Sequence, residues 1–166
     1  GNCNHCSQFL SVRINKIRYK KETNALENYF EKIKSRSKNN NLDYDAVCGI
    51  SGGADSSYAL HLACKHGLKI VVAHVDNGWN SSIAVRNIFK LVNSLKVDYK
   101  SYVLPWKKYT NVQKAFLKAS VPEADTPTDL AVYKGELVIA NRLNLKDIIC
   151  GGNMSSEGIL PIHWHY

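Results

Sequence analysis

A run of serines and glycines with one aspartate follows a short apolar stretch, in an order suited to phosphate binding. Residues 46–50 have the length and composition of a buried strand, and residues 51–57 then read Ser-Gly-Gly-Ala-Asp-Ser-Ser. Gly52 and Gly53 can adopt backbone angles closed to other residues, which lets an anion approach the main chain. Apolar residues then recur at helical spacing, so the free N–H groups of a first helical turn would face that anion. The pattern predicts a phosphate-binding loop.

The side chains of this loop add candidate ligands. The hydroxyls of Ser51, Ser56 and Ser57 can hydrogen-bond to phosphate, and Asp55 can hold Mg²⁺ against it. The alternative is a plain glycine turn in which Ser56 or Asp55 is an ordinary helix N-cap. No Gly-Lys-Ser/Thr is present, so the loop is not a Walker loop.

Two further strands are predicted to end beside this loop. The second covers residues 68–75 and runs into His-Val-Asp-Asn-Gly-Trp, where Asp76 and Asn77 could reach a ribose or a metal, although Asn-Gly is also typical of a simple turn. The last covers residues 146–150 and opens into Gly151 and Gly152. Ligands of open parallel sheets bind outside the carboxyl ends of the strands, so three strand ends should form one crevice.

The elements that position these residues alternate along the chain. The order strand–helix–strand–helix–strand–helix–helix–strand predicts an α/β fold with a doubly wound, mostly parallel sheet and right-handed crossovers. We expect residues 1–20 to form a small N-terminal arm. Residues 21–41 should form an amphipathic helix and a polar linker, and residues 42–166 the main domain. The chain lacks an initial Met and stops abruptly, so we expect a fragment that is truncated at its C-terminus, with ligands or domains missing at either end.

Charge and hydropathy limit the partners. The net charge is +8, and residues 11–38 carry nine Lys/Arg against three Glu. Such a basic segment suits RNA, a nucleotide-linked substrate or an acidic partner, or is simply a solvated surface. No apolar run approaches the roughly 20 residues that cross a bilayer, so no membrane span is expected.

The cysteines suggest a second, smaller site. Cys3 and Cys6 form a Cys-X-X-Cys pair, which is half of a tetrahedral Zn²⁺ site. The alternative is two unlinked surface cysteines. The total of five is odd and fits a reducing cytoplasm better than a disulfide framework.

The loop at residues 51–57 resembles the pyrophosphate loop of the N-type ATP pyrophosphatases, the PP-loop or adenine nucleotide alpha hydrolase-like superfamily. This resemblance implies ATP and Mg²⁺ as cofactors and Ser51, Asp55 and Ser56 as catalytic residues. It implies a nucleotide site made of the loop and the ends of the other strands: Ser51, Gly52, Gly53, Ala54, Asp55, Ser56, Ser57, His74, Val75, Asp76, Asn77, Gly151 and Gly152. The Gly-Gly-Asn…Ser-Glu stretch resembles a NAD synthetase element, offset by one residue, and implies Glu157 as a second Mg²⁺ ligand.

The chain as a whole resembles the N-acetyl sugar amidotransferases of surface-polysaccharide (lipopolysaccharide) biosynthesis. The matching motifs are Gly-X-Cys-Asn-X-Cys, Ser-Gly-Gly-Ala-Asp-Ser-Ser, His-Val-Asp-Asn-Gly-Trp-Asn-Ser, Pro-Thr-Asp and Gly-Gly-Asn. The resemblance implies a cytoplasmic enzyme that converts an acetamido group into an acetamidino group. ATP would adenylylate the amide oxygen of a nucleotide-linked or lipid-linked N-acetyl sugar, and a glutaminase subunit would supply ammonia. A homodimer is a further expectation.

Two alternatives remain, one within the same enzyme superfamily and one from another functional class. One is a tRNA-modifying enzyme of the same superfamily, a thiolase or lysidine synthetase, for which the basic segment would bind RNA. Thiolation uses a reactive cysteine, and Cys150 is the candidate because Cys48 lies in a predicted buried strand. The other is a nucleotide-binding or RNA-binding module without catalytic activity.

Overall fold

The chain forms one parallel sheet. The computed structural model describes residues 1–8, 10, 24–121 and 123–152. Its four strands lie in the order β3-β2-β1-β4, and every neighbouring pair is parallel. The strands are β1 (Ala46–Gly49), β2 (Ile70–Asp76), β3 (Asp98–Val103) and β4 (Ile148–Ile149).

Helices connect the strands as the sequence predicts. The helices are α1 (Asn4–Gln8), α2 (Ala25–Asn39), α3 (Ala54–Lys65), α4 (Ser82–Leu95), α5 (Trp106–Lys118) and α6 (Thr126–Arg142). Of these, α3 links β1 to β2, α4 links β2 to β3, and α5 with α6 links β3 to β4. The predicted α/β class and element order are therefore confirmed.

The strand order places a topological switch beside β1. The chain moves outward from β1 to β2 and β3, then returns past β1 to lay down β4 on its other side. The helix α3 that leaves β1 covers one face of the sheet, and the helix α6 that leads into β4 covers the other. This divergence opens a crevice, which is where doubly wound sheets bind ligands.

One face of the sheet is covered by α2, α3 and α4. Its buried cluster is apolar throughout: Phe30, Ile33, Ala46, Cys48, Ile50, Leu60, Ala63, Leu68, Ile70, Val72, Ile88 and Val92. The helix at residues 25–39 is part of this core through Phe30 and Ile33. Arg36 of the same helix donates two hydrogen bonds, of 2.5 and 2.6 Å, to the Asp147 carboxylate just before β4.

The other face is covered by α6. Its smaller cluster consists of Val47, Val71, Ala73, Ile139, Ala140 and Leu145. At Gly135 the helix lies so close to the sheet that a Cβ there would be 2.5 Å from the Val75 Cγ2. The missing side chain thus sets how near α6 approaches the end of β2.

Several predicted boundaries were wrong by one or two residues. The sequence suggests Thr126 as the N-cap of α6, but Asp125 holds that position, because its carbonyl accepts from the amides of Thr128 and Asp129. The last strand is shorter than the predicted 146–150, since Leu145 is already buried against α6 and Lys146 is exposed. In the part of the chain that the structure describes, no helix combines the length and apolar character needed to cross a membrane.

Candidate functional site

The turn after β1 requires glycine at one position. Gly52 has a φ of +81°, which lies in the left-handed region. A Cβ at Gly52 would also stand 2.5 Å from the carbonyl oxygen of Ala84 in α4. Backbone conformation and close approach therefore both select glycine here.

The start of α3 has no side-chain cap. Gly53 is the N-cap residue, so neither Ser56 nor Asp55 acts as the ordinary cap that the alternative interpretation requires. The amides of the first helical turn, at residues 54–56, have no carbonyl acceptor within the helix. Together with the helix dipole they form a site that favours an anion.

Two serines are joined across this turn. The Ser56 Oγ lies 3.1 Å from the Ser51 Oγ and accepts from the Ser51 amide at 3.3 Å. Ser56 is buried, whereas Ser51 is exposed at the crevice. The Oγ atoms of Ser56 and Ser57 both donate to the Gly53 carbonyl oxygen, at 3.4 and 2.6 Å. Ser51 and Ser56 line the crevice, whereas Ser57 does not and stabilises the turn.

The loop after β4 lies against the first turn of α3. A Cβ at Gly151 would be 2.5 Å from the amide nitrogen of Ser56 and 2.6 Å from its Cα. Any larger residue would push this loop away from the start of α3. Gly151 therefore closes one side of the crevice, as the paired strand ends predict.

The crevice has a volume of about 410 Å³, which falls within the range of small-molecule sites. Ten of the predicted nucleotide-site residues line it: Ser51, Gly53, Ala54, Asp55, Ser56, His74, Val75, Asn77, Gly151 and Gly152. Gly52, Ser57 and Asp76 do not. The predicted ligand Glu157 lies outside the described residues.

The polar side chains at the end of β2 make hydrogen bonds within the protein. His74 is buried, and its Nδ1 lies 3.0 Å from the Ile50 carbonyl oxygen. The Asp76 Oδ1 accepts from the Gly78 amide and the Asn80 side chain, both at 2.9 Å. Asp76 therefore shapes the loop after β2, and Asn77 is its neighbour at the crevice.

Hydrogen bonds tie this loop to α5 and α6. The Trp79 Nε1 donates to Gln113 at 3.2 Å, and the Gln113 Nε2 donates to the Tyr109 hydroxyl at 2.9 Å. That hydroxyl lies 2.7 Å from the Thr128 Oγ1, and Thr128 lines the crevice. The chain of contacts fixes the wall formed by the amino end of α6.

The Mg²⁺ and Zn²⁺ predictions receive different degrees of support from the structure. Mg²⁺ is commonly held by one or two carboxylates together with substrate phosphates, and the exposed Asp55 in the first turn of α3 suits that role. Across the described ranges no group of three or more His, Cys, Asp or Glu could hold a metal ion. The sulfurs of Cys3 and Cys6 lie 3.4 Å apart, and their hydrogen bond raises the pKa of Cys6. Zn²⁺ needs four ligands, so the zinc prediction gains no support.

The sequence reasoning missed Glu136 in the crevice. Its side chain is buried at 5% exposure, and burial raises its pKa to about 7. A Cβ at Gly49 would overlap its carboxylate, so the last residue of β1 makes room for it. Thr128, Val132 and Tyr133 of the same helix were missed as well. A signal was present, since residues 128, 132, 136 and 139 recur at helical spacing and place a glutamate on the inner face.

Comparison with known proteins agrees with this geometry. A family model described as ThiI, thiamine biosynthesis protein, matches residues 42–156, which is more than half of the chain. The chain belongs to the ThiI family. The matched segment contains the loop after β1, both other strand ends and α6.

Curated relatives of this ThiI-family chain match over a shorter stretch. A 7-cyano-7-deazaguanine synthase of Campylobacter jejuni subsp. jejuni is 34% identical over 97 residues, covering 58% of this chain and 39% of that protein. The corresponding protein of C. jejuni subsp. doylei is 33% identical over 97 residues, with the same coverage. The chain thus spans about two fifths of the length of these relatives.

Solved structures share the fold. The NH3-dependent NAD synthetase of C. jejuni has a TM-score of 0.57 at 20% identity, covering 78% of this chain and 56% of that one. The glutamine-dependent NAD⁺ synthetase of Acinetobacter baumannii, solved with ADP, also has a TM-score of 0.57, at 16% identity, covering 76% and 25%. The predicted PP-loop, adenine nucleotide alpha hydrolase-like fold is therefore confirmed.

Proposed function

We propose that this protein is an ATP-dependent amidotransferase that converts the acetamido group of an N-acetyl sugar into an acetamidino group. It would adenylylate the amide oxygen, release pyrophosphate and let ammonia displace AMP. The acceptor would be nucleotide-linked or lipid-linked, a separate glutaminase subunit would supply ammonia, and the reaction would belong to surface-polysaccharide biosynthesis in the cytoplasm.

The observation that carries this proposal is the uncapped start of α3 at the edge of the crevice. The Gly52 turn brings the amides of residues 54–56 to one side of a volume of about 410 Å³. No side chain caps these amides, and Gly151 keeps the facing loop at close range. That arrangement suits the departing half of a nucleoside triphosphate.

The proposed reaction needs few catalytic side chains. An amide carbonyl is a poor electrophile, and transfer of AMP to its oxygen makes that oxygen part of a good leaving group. Negative charge develops on the β- and γ-phosphates as they depart, so preorganised N–H donors stabilise the transition state. Ser51 and Ser56 would add hydroxyl donors, and Asp55 would hold the Mg²⁺ that neutralises phosphate charge.

The sugar specificity rests on the sequence resemblance, from the Cys-X-X-Cys pair to Pro-Thr-Asp and Gly-Gly-Asn. Pro127 and Thr128 of that motif start α6, and Thr128 and Asp129 line the crevice. The motif thus lies on the wall of the crevice, within reach of the proposed nucleotide site. This position supports a role in acceptor binding.

The test is ATP–pyrophosphate exchange in the full-length protein, with UDP-N-acetylglucosamine and UDP-N-acetylgalactosamine as acceptors. We expect exchange that depends on acceptor and on Mg²⁺. Gly52→Ala should reduce exchange at least 100-fold, because it removes the turn that presents the amides. Glu27→Gln, an exposed change on α2, is the matched control and should leave exchange unchanged. Exchange at the wild-type rate in Gly52→Ala would contradict the proposal.

A second candidate is sulfur transfer, in which the outer sulfur of a Cys150 persulfide, loaded by a separate persulfide donor, displaces AMP in place of ammonia, and two external thiols then reduce the S–S bond that links the product to Cys150. It is favoured by Cys150, an exposed cysteine that lines the crevice directly after β4. Cys48 is excluded as the reactive group, because burial raises its pKa to about 12. Cys150→Ala separates the candidates, since it would abolish sulfur transfer and spare amidine formation.

A further inference from the structure

The crevice contains a carboxylate that the adenylylation step does not use. Glu136 lies on the inner face of α6, buried at 5% exposure, and it lines the crevice together with Ser51, Asp55 and Ser56. Among the residues that the structure describes, no hydrogen-bond donor or cation pairs with its carboxylate. A buried ionisable group without a partner is costly for the fold, so it calls for a functional explanation.

The sheet leaves space for the Glu136 carboxyl group at Gly49. Gly49 ends β1 on the face covered by α6, and a Cβ there would overlap the Glu136 carboxylate. Gly135 lets α6 approach Val75 of β2 and Tyr102 of β3, two residues beyond the position in β2 that pairs with Gly49. Glycine at positions 49 and 135 therefore makes space for this carboxyl group beside the loop at residues 51–57.

The charge of the Glu136 carboxylate limits the ligands that it can bind. A carboxylate repels phosphate, so Glu136 does not serve the pyrophosphate half of ATP. Within the described ranges Glu136 belongs to no group of three metal-ligating side chains, so it is not part of a metal site made of protein ligands alone. What suits a lone buried carboxylate is a small group that carries positive charge or N–H donors.

We propose that Glu136 binds the incoming nitrogen nucleophile as ammonium or ammonia and accepts the proton that this nitrogen loses. The inference deepens the proposed function and rests on it. Where the nitrogen arrives as ammonium, its first proton goes to the Glu136 carboxylate, which returns it to solvent. The resulting ammonia attacks the amide carbon of the adenylylated acceptor, and a C–N bond forms. The new ammonium centre gives one proton to Glu136, the C–O bond breaks with its electron pair on AMP, and the amidinium product remains.

The acid–base properties of the site fit this role. Burial raises the pKa of Glu136 to about 7, where a carboxyl group can both take and return a proton at neutral pH. The other titratable groups around it on the crevice wall and beneath it are Asp55, His74, Asp129, Tyr133, Cys48 and Cys150. Of these, Cys48 stays a thiol, since burial raises its pKa to about 12.

The kinetic test separates the two half-reactions in Glu136→Gln, which keeps size and loses basicity. Adenylylation is followed as ATP–pyrophosphate exchange with UDP-N-acetylglucosamine, and amidine formation is followed with ammonium chloride. We expect amidine formation at pH 7 to fall about 100-fold more than exchange does. The deficit should shrink as pH rises and free ammonia replaces ammonium. Glu27→Gln should change neither rate.

The outcomes distinguish this inference from the proposed function. Absence of exchange in the wild type would remove the proposed function itself. Wild-type exchange with equal amidine formation and an unchanged pH profile in Glu136→Gln would overturn the role of Glu136 alone. A parallel loss of both half-reactions would show that Glu136 is merely structural.

A binding test does not depend on turnover. At pH 8, ammonium chloride should raise the melting temperature of the wild type above its value in equal sodium chloride, because it pairs with the buried carboxylate. Glu136→Gln should lose this difference, and Glu27→Gln should keep it. An ammonium effect of the same size in Glu136→Gln would overturn the proposal.

Discussion

The two faces of the sheet are packed in different ways. The face under α2, α3 and α4 buries twelve hydrophobic residues in one cluster. The face under α6 buries six, and its cluster stops where Glu136 and the crevice begin. The first face is organised for stability. The second gives up apolar burial near the carboxyl ends of the strands, so that polar groups can reach a ligand.

The largest effect should come from breaking the apolar face. Leu60 of α3 is fully buried between the sheet and its neighbouring helices. We expect Leu60→Ala to lower the free energy of unfolding by about 3 kcal/mol through lost transfer energy and a residual cavity. Urea unfolding followed by circular dichroism measures this. A loss below about 1 kcal/mol would mean that this face is not tightly packed.

On the α6 face, the free energy of unfolding should fall with rising pH because of Glu136. The folded-state pKa of Glu136 is raised to about 7, so the folded protein holds this proton more tightly than the unfolded chain. The stabilisation is complete below the unfolded pKa and is lost as pH rises through about 7. Relative to its own value at pH 4.5, the wild type should lose up to about 3 kcal/mol by pH 8.5 at this site, whereas Glu136→Gln should not.

Urea unfolding of both variants across this pH window provides the measurement. Glu27→Gln is the control for loss of one carboxylate and should follow the wild-type pH dependence. Parallel curves for wild type and Glu136→Gln would show that the buried carboxyl group does not titrate in this window.

A smaller effect should come from filling the space at Gly49 that the Glu136 carboxyl group occupies. Gly49→Ala places a methyl group where the Glu136 carboxylate lies, and we expect a loss of about 1–2 kcal/mol. Because the obstructing group is a side chain, the double variant Gly49→Ala/Glu136→Ala should recover part of that loss. Additive effects in this double-mutant cycle would contradict the contact.

The smallest effect is expected at the edge of the crevice. Cys150→Ala removes an exposed thiol that no step of the proposed reaction uses, so amidine formation should change less than twofold. Its stability should change by at most about 0.5 kcal/mol, as for other exposed positions. A large loss of turnover, with pyrophosphate exchange intact, would favour sulfur transfer.

The same contrast explains what the sequence could predict. The Ser-Gly-Gly-Ala-Asp-Ser-Ser loop, the three strand ends and the element order are local signals, and the structure brings their residues to one crevice. Gly151 was placed correctly because a strand precedes it. The roles of Asp76 and Ser57 were harder to predict, since their partners, Gly78, Asn80 and the Gly53 carbonyl, depend on loop geometry.

The buried position of Glu136 was not predicted from its neighbours in the sequence. The sequence predicts a helix over residues 128–143, close to the observed 126–142, but the inner face of this helix is set by packing on β1 and β2. A glutamate there is read as a surface residue unless the Ile139 and Ala140 positions are first assigned to the core. The partnership of Gly49 and Glu136 joins residues far apart in sequence, which no spacing rule reveals.

The central claim is that the uncapped start of α3 binds the pyrophosphate half of ATP, and amide chemical shifts test it most directly. On addition of Mg²⁺ and pyrophosphate, we predict the largest ¹⁵N and ¹H shifts at residues 53–56. The start of α4 is the internal comparison, because the Ser81 Oγ already accepts from the Ala84 amide at 3.1 Å, and it should not move. Shifts concentrated elsewhere, with residues 53–56 unmoved under saturating ligand, would contradict the account.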